Sequence, residues 1–283
     1  MDICGQWSVT LYLRIGRILL YTGATCFVSQ TSDPMTDTQT ATFRFHGRLN
    51  YFLPPRQQHQ TITHTFGWRA SIKDMAESLG PPHAEMALLV VNDRSVDFEY
   101  IVQDGDEIEI YDDYDAIDLP DKVALRPPYP GKPRFILDTH LGKLAGYLRM
   151  LGFDTLYRND YPDDVLAEVS HNEQRILLTR DIGVLKRSLV VYGYYMRETD
   201  PRKRITEIMT RYDLAAHVEP FKRCAKCNGL LHPVGKAAIL DQLPAKTAEF
   251  YDEFHQCADC GQVYWKGSHF QRLEQFIDEI TGD

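Results

Sequence analysis

The sequence lacks a long apolar run, an excess of basic charge and a secretory signal. No segment reaches the roughly 18 consecutive apolar residues of a membrane-spanning helix, and Arg14 and Arg17 interrupt the apolar pieces near the start. The opening residues also lack the ordered charged, apolar and cleavage regions of a signal peptide. The formal net charge of −9 argues against a protein that coats nucleic acid non-specifically. These absences predict a cytoplasmic protein without a membrane partner.

The charge is unevenly distributed along the 283 residues, a length that suits two or three domains. Residues 1–133 carry 11 basic and 18 acidic side chains, residues 134–223 carry 15 and 13, and residues 224–283 carry 5 and 9. The middle segment is therefore mildly basic between two acidic flanks. A polyanionic ligand would be tolerated there better than elsewhere in the chain.

Residues 41–111 carry the pattern of a small α+β domain. Alternating runs such as ATFRFHG and DEIEIY predict strands. The run SIKDMAESLG predicts a short helix with Ser71 as its N-cap and Gly80 at its end, and DFEYI is a further candidate strand. This order of elements predicts a β-grasp, ubiquitin-like domain, with a generic α+β domain as the alternative.

Two segments beside this domain look irregular. Residues 1–40 are expected to form a disordered leader, because 30–40 is polar and rich in turn residues. Residues 112–133 are acidic and then rich in proline, which predicts an exposed linker.

Strand and helix patterns alternate four times in residues 134–223, which predicts a parallel sheet with helices on both faces. Asp138 ends the first strand, Asp181 follows the third, and Asp163 and Asp164 open the helix after the second. Ligands of such sheets bind at the carboxyl ends of the strands, so we expect these acids to converge on one rim. Carboxylates there suit a hard cation such as Mg²⁺, which can activate water against a phosphodiester.

Each of these acids also has a purely structural explanation. Asp138 and Asp181 precede helices, where Asp is a favoured N-cap worth about 1 kcal/mol. Asp163 and Asp164 complement a helix dipole. Three acids on one rim favour the metal site over three separate caps, whereas Asp200 is better explained as a cap.

Basic residues near these acids are candidates to neutralise a substrate phosphate. Lys143 and Arg149 lie off the buried stripe of their predicted helix, and Arg180 directly precedes Asp181. Each is also compatible with an ordinary solvated side chain. The run 202–204 (RKR) favours a solvated helix face over a dedicated binding patch.

Four of the six cysteines form two C-x-x-C pairs near the C-terminus, separated by 29 residues. This spacing is typical of a tetrahedral structural Zn²⁺ site in a zinc ribbon, and a redox motif would need only one pair. Such a closed site folds its domain and does not catalyse. The predicted ligands are Cys224, Cys227, Cys257 and Cys260.

Several of these motifs together resemble the Mut-seven C-terminal RNase family. The resemblance covers residues 134–272 and rests on FILDTHLGKLAGYLRMLGFDTLY, RILLTRDIGVL and CADCGQVYWKGSHF. It implies a PIN-like fold and metal-dependent RNA cleavage, with the family's acids at Asp138, Asp163 and Asp181 and with Asp164 as an adjacent candidate. Residues 41–111 resemble the ubiquitin-like, sulfur-carrier-like domain that often precedes this family.

One departure concerns the end of the ubiquitin-like domain. Ubiquitin and sulfur carriers end in an exposed Gly-Gly tail, whereas here YDDYDAID continues into the linker. Conjugation and thiocarboxylate chemistry are therefore disfavoured, and a docking or regulatory role with a protein partner is expected.

The expected organisation is an α/β protein with six parts. They are a leader (1–40), a β-grasp domain (41–111), a linker (112–133), a PIN-like RNase domain (134–223), a zinc ribbon (224–272) and a tail (273–283).

The preferred functional hypothesis is a Mg²⁺- or Mn²⁺-dependent ribonuclease whose ribbon helps to grip RNA. The first alternative is a non-catalytic RNA- or ribosome-binding adaptor, whose affinity would depend on salt but not on chelators. A receiver-like phosphoacceptor ranks last, because it needs a Lys after a late strand and VVYGYYMRET offers only Arg197.

Overall fold

The computed structural model describes residues 38–267, 270 and 275, and these residues belong to one compact unit. Residues 1–37 of the expected leader and nearly all of the expected tail lie outside the described residues. The first strand begins at Gln39, so the last residues of the expected leader are part of a sheet. Among the described helices, none is long and apolar enough to cross a membrane.

The N-terminal sheet has the β-grasp topology predicted from the sequence. Its strand order is β2-β1-β5-β3-β4, and β1 runs parallel to β5 while the other neighbours are antiparallel. Helix α1 packs its Ile72, Met75 and Ala76 into the core on one face of the sheet. The elements are β1 (Gln39–Phe45), β2 (Thr61–Phe66), α1 (Ile72–Leu79), β3 (Leu88–Val91), β4 (Arg94–Val96) and β5 (Glu107–Tyr111).

The ends of α1 follow the predicted capping signals. The Ser71 side chain accepts a hydrogen bond from the backbone N–H of Asp74 at 3.1 Å, and Gly80 ends the helix with a φ of 145°. The expected strand at DFEYI does not form. The edge strand is instead β4, because Asn92 and Asp93 both adopt positive φ and turn the chain back on β3.

The second sheet is parallel throughout, with strand order β7-β6-β8-β9. Its strands are short and almost wholly buried, as expected when helices cover both faces. One face packs against α2 and α5, and the other against α3 and α4. The elements are β6 (Phe135–Leu137), α2 (Gly142–Met150), β7 (Thr155–Tyr157), α3 (Asp163–Asn172), β8 (Ile176–Thr179), α4 (Ile182–Leu185), β9 (Gly193–Tyr195) and α5 (Pro201–Arg211).

A third, antiparallel sheet of three strands forms the C-terminal ribbon, in the order β10-β11-β12. Its own apolar core is small and is built around Ile239, Phe254 and Val263. The strands are β10 (Leu231–Val234), β11 (Phe254–Cys257) and β12 (Val263–Trp265), with helix α6 (Ala245–Phe250) before β11. The predicted combination of a β-grasp domain, a parallel α/β sheet and a zinc ribbon is confirmed as the fold class.

The segment 112–133 is less free than the expected exposed linker. The Arg126 guanidinium donates hydrogen bonds to backbone carbonyls of Ala84 and Met86 in the β-grasp domain and of Val191 in the RNase domain. Burial lowers the pKa of Arg126 from its ordinary value. Because one guanidinium donates hydrogen bonds to carbonyls of both domains, the segment 112–133 is held against both of them.

Candidate active site and metal centre

Thr179 connects two of the predicted acids at the carboxyl edge of the parallel sheet. Its side chain lies at the end of β8 with no solvent exposure. The Thr179 hydroxyl donates to Oδ2 of Asp138 at 2.6 Å, and its oxygen accepts the backbone N–H of Asp181 at 2.9 Å. The parallel pairing of β6 and β8 therefore brings Asp138 and the start of α4 to either side of one buried hydroxyl.

The two acids differ in their local roles. Asp181 is the N-cap of α4, and its Oδ1 accepts the N–H groups of Gly183 at 2.6 Å and Val184 at 3.3 Å. Its Oδ2 receives no hydrogen bond from the described part of the chain. Asp138 caps no helix, because α2 begins four residues later, at Gly142, with Leu141 as its N-cap. The Asp138 carboxylate instead accepts hydrogen bonds from the Thr179 hydroxyl and the Thr139 N–H. The capping explanation thus holds for Asp181 and fails for Asp138.

Asp163 and Asp164 form the first turn of α3, as the sequence indicates. Both are exposed, and Asp163 lies 3.9 Å from the guanidinium of Arg187. Among the described residues, the only group of three or more His, Cys, Asp or Glu whose ligand atoms all lie within 4.8 Å of one another is the group of four cysteines. The structure thus joins Asp138 to Asp181 through Thr179, and neither Asp163 nor Asp164 completes a group of three acids within 4.8 Å with them.

Two arginines meet over a single carbonyl beside these acids. Arg180 and Arg204 both donate to the backbone carbonyl of Glu198, at 3.2 and 2.9 Å. Arg204 also reaches the carbonyl of His140, in the loop that follows Asp138, at 3.4 Å. Burial lowers the pKa of Arg204, and the nearby positive charge of Arg180 lowers it further.

The sequence reasoning missed Arg204 because it treated the whole RKR run as solvated. Arg202 and Lys203 are exposed, but Arg204 is half-buried. The signal that would have separated it is its spacing of four residues from the buried Ile208, which places both on one helix face. Lys143 is exposed in the first turn of α2. Asp200 caps α5 through the N–H groups of Arg202 and Lys203.

Arg149 has contacts that argue against the predicted role of neutralising a substrate phosphate. It is 6% exposed. Its Nε donates to the carbonyl of Thr155, and its Nη1 donates to those of Ala225 and Lys226 between the first two cysteines. The buried Arg149 guanidinium donates to three carbonyls and thereby fixes the first cysteine loop against α2. The role of Arg149 is therefore structural.

Asp154 makes a second tie between the sheet and the ribbon. Its carboxylate pairs with Arg175 at 2.9 Å and accepts from Asn228, the residue after Cys227, at 2.8 Å. Burial alone would raise the pKa of Asp154, but the hydrogen bonds from Arg175 and Asn228 outweigh it and hold that pKa below its ordinary value. The ribbon is thus docked through polar contacts at its cysteine loop.

The four cysteines lie together as their spacing predicts. Their Sγ atoms are all within 4.8 Å of one another, with Cys224–Cys260 at 3.6 Å and Cys227–Cys257 at 3.4 Å. Burial raises the pKa of Cys224, but the Tyr264 hydroxyl at 3.1 Å and nearby backbone N–H groups lower it to about 7 overall. Four converging sulfur atoms fit a four-thiolate structural metal site.

Two regions of the chain match known families. The Mut7-C RNAse domain matches residues 133–277, just over half of the chain, and the Mut7-C ubiquitin domain matches residues 38–118. No curated protein and no solved structure gives a significant match. The resemblance drawn from the sequence motifs is confirmed, and the chain belongs to the Mut7-C RNase family, with a Mut7-C ubiquitin domain ahead of the RNase domain.

Proposed function

We propose that this protein is a metal-dependent ribonuclease that hydrolyses RNA phosphodiester bonds at the carboxyl edge of the parallel sheet. The observation that carries the proposal is the Thr179 bridge between Asp138 and Asp181. It fixes two acids from neighbouring strands at the edge where parallel sheets bind ligands. The family match supports RNA as the substrate.

The donor set at this edge suits Mg²⁺ or Mn²⁺. Asp138 is held by Thr179, and Asp181 caps α4 with one oxygen while its Oδ2 remains available. Asp163 is the third proposed acid, with Asp164 next to it, on the exposed first turn of α3. Hard cations bind one or two carboxylates together with waters and substrate phosphate. A bound cation would supply an activated water and charge neutralisation.

The remaining residues of the site position the substrate. Arg180 and Arg204 hold a pair of guanidinium groups over the Glu198 carbonyl, near the loop that follows Asp138. A guanidinium matches the geometry of a phosphate and keeps its charge. We propose that Arg180 and Arg204 bind the scissile phosphate and that the exposed Lys143 adds positive charge beside them. Arg149 is not part of this site.

The ribbon is proposed to hold one structural Zn²⁺ through its four cysteines. The metal would fold the ribbon, whose own apolar core is small. Because Arg149 and Asn228 tie the cysteine loop to the sheet, the folded ribbon is held in a fixed position beside the RNase domain, where it can help to grip RNA.

The test is cleavage of mixed-sequence RNA with Mn²⁺ by the wild type, by Asp181→Asn and by Asp200→Asn. Both substitutions replace an acid by an amide at a helix N-cap, and Asn caps helices about as well as Asp. The fold should survive in both variants. We expect Asp181→Asn to lose most of the activity and Asp200→Asn to keep it. Equal cleavage by the wild type and Asp181→Asn would remove Asp181 from the mechanism.

A second candidate function is a non-catalytic RNA-binding adaptor. It is favoured by one observation, namely that the acids of the described residues do not form a three-membered group within 4.8 Å. An adaptor would bind RNA with a strong salt dependence and would ignore both EDTA and Asp181→Asn. Absence of cleavage by the wild type over a broad substrate set, together with such binding, would select it.

A further inference from the structure

The β-grasp domain is fixed to the RNase domain by a buried ion pair. Glu85 lies just after the turn that follows α1, and its side chain is 2% exposed. Its carboxylate pairs with Arg197 at 3.0 Å and accepts the backbone N–H of Tyr195 at 2.6 Å. The two domains therefore present a surface with a fixed relative geometry beside strand β9.

A polar cleft of about 640 Å³ lies along this junction. The β-grasp domain contributes Arg48, the connecting segment contributes Asp113, and one face of α5 contributes Lys203 and Arg211 at a spacing of eight residues. Glu198 lines the same cleft, and its backbone carbonyl accepts a hydrogen bond from Arg180.

Basic groups in this cleft are incompletely satisfied. Within the described residues, neither Lys203 nor Arg211 forms a salt bridge, and the buried Nε atoms of Arg197 and Arg211 have no hydrogen-bond partner. Three acids line the cleft beside four basic side chains, namely Asp113, Glu198 and Glu207. The Glu207 carboxylate accepts hydrogen bonds from the Tyr194 hydroxyl at 2.9 Å and from the backbone N–H groups of Arg197 and Glu198. The cleft therefore offers donors and positive charge to an anionic ligand.

The cleft adjoins the candidate active site at Glu198. Glu198 lines the cleft, and its carbonyl accepts hydrogen bonds from Arg180 and Arg204. Arg204 in turn contacts the loop that follows Asp138. Arg180, next to Asp181, and Arg204, at the loop that follows Asp138, thus both contact Glu198 in the wall of the cleft.

An aromatic side chain of the β-grasp domain, Tyr51, lies beside Arg197 of the cleft. Tyr51 is 49% exposed, its ring centroid lies 5.5 Å from that of Tyr195, and the Arg197 guanidinium lies 5.6 Å from its ring. An exposed ring next to a basic groove is the arrangement that single-stranded nucleic acids use for base stacking.

From these contacts we infer that the interdomain cleft binds the RNA strand next to the scissile bond, with its phosphates on Lys203, Arg211 and Arg48 and a base on Tyr51. The β-grasp domain is then part of the substrate-binding surface and not a separate docking module. This inference rests on the proposed function for the identity of the ligand, and it adds a second region of substrate contact outside the acidic site.

The test measures RNA affinity in an Asp181→Asn background, in which the strand is not cut. Fluorescence anisotropy with a labelled single-stranded RNA of mixed sequence is recorded from about 50 to about 200 mM salt. The cleft variants are Lys203→Gln, Arg211→Gln and Tyr51→Leu. The matched controls are Arg69→Gln and Trp68→Leu, because both residues are exposed on the β-grasp domain and neither lines the cleft.

We expect each charge variant to weaken binding about threefold to tenfold and to reduce the slope of log affinity against log salt by about 0.7. Tyr51→Leu should weaken binding about fivefold or more with an unchanged slope, because stacking carries no charge. The two controls should match the parent. Arg48→Gln extends the test to the β-grasp side, with thermal unfolding as a check, since Arg48 pairs with the buried Asp112 at 2.7 Å.

Parent-like affinities and slopes in Lys203→Gln, Arg211→Gln and Tyr51→Leu would overturn the inference, as would failure of the parent to bind RNA. Cleavage by the chain with Asp181 intact, measured in parallel, decides the proposed function separately. If the protein cleaves RNA and the cleft variants bind RNA as tightly as the parent, the ribonuclease proposal stands and the cleft inference fails. If the cleft variants bind RNA more weakly but the protein does not cleave it, the cleft inference stands and the adaptor is selected.

Discussion

At the scale of single residues, the account depends most on the hydroxyl of Thr179. We predict that Thr179→Val, which keeps the shape but removes the hydroxyl, destabilises the fold by about 1–3 kcal/mol. The N–H of Asp181 would lose its acceptor, and Asp138 would lose the hydroxyl donor to its Oδ2. Urea unfolding measures the stability loss, and RNA cleavage should fall at least about tenfold because both acids become less well placed.

Thr179→Ser is the matched control, since it restores the hydroxyl in a smaller side chain. It should recover most of the cleavage even where some stability is lost through the missing methyl group. If Thr179→Val cuts RNA as well as the wild type, Thr179 has only a structural role and the bridge does not organise the site.

Single residues also show where sequence reasoning succeeds and where it stops. The position of Asp181 between a strand and a helix predicted both a cap and an available oxygen, and the structure has both. The same pattern at Asp138 suggested a cap, but the helix begins later and the carboxylate turns to Thr179. Arg149 looked solvated because its carbonyl partners Ala225 and Lys226 lie more than 70 residues away in the chain.

At the scale of elements, the cysteine loop depends on the guanidinium of Arg149. Arg149→Lys keeps a positive charge but cannot serve the carbonyls of Thr155, Ala225 and Lys226 together. We predict faster release of the ribbon metal to a chelator, together with a stability loss of about 1–3 kcal/mol from unsatisfied carbonyls. Lys226→Gln is the control, because its side chain is exposed and its backbone carbonyl is unchanged. Equal release rates in all three proteins would contradict this role.

The metal itself should determine whether the ribbon is folded. We predict that Cys257→Ser, or removal of the metal with a strong chelator, abolishes hydrogen-exchange protection in β10–β12. Protection in β6 and β8 should remain, because these strands lie in the separate buried core of the parallel sheet. Retained protection in β11 after metal removal would show that the ribbon folds without its metal.

The elements themselves were largely predictable because their signals are local. Alternation, the Ser71 cap and the spacing of the C-x-x-C pairs each act within a few residues. The edge strand β4 was missed because a turn at Asn92 and Asp93, and not apolar alternation, determines where the chain reverses. The linker was taken as exposed because its composition does not show that Arg126 would find carbonyls on two domains.

At the scale of the whole molecule, the Glu85–Arg197 pair connects the domains. We predict that Glu85→Gln destabilises the protein by about 3–5 kcal/mol, because it leaves a mostly buried guanidinium without its charge partner. The double variant with Arg197→Gln should cost less than the sum of the two single variants. Asp252→Asn, which breaks the exposed pair with Lys236, should change stability by less than about 1 kcal/mol.

Calorimetry provides the measurement for this cycle. If the stability loss of the double variant equalled the sum of the losses of the two single variants, Glu85 and Arg197 would act independently. The domains would then not be joined by this pair. No sequence pattern indicates the pair, because its members are 112 residues apart and both are charged residues that are usually exposed. Sequence patterns therefore predicted the separate domains but not the surface that they form together.

The central claim is that the acids at the sheet edge hold a divalent cation that is needed to cut RNA. It is tested most directly by the single-turnover cleavage rate of a labelled RNA as Mn²⁺ is titrated into metal-depleted wild type and Asp138→Asn, with the ribbon metal retained. We predict that the cleavage rate of the wild type rises to saturation with Mn²⁺ and is abolished by EDTA. At saturating metal, the rate of Asp138→Asn should be at least about a hundredfold lower. Metal-independent cleavage, or identical titration curves for the two proteins, would contradict it.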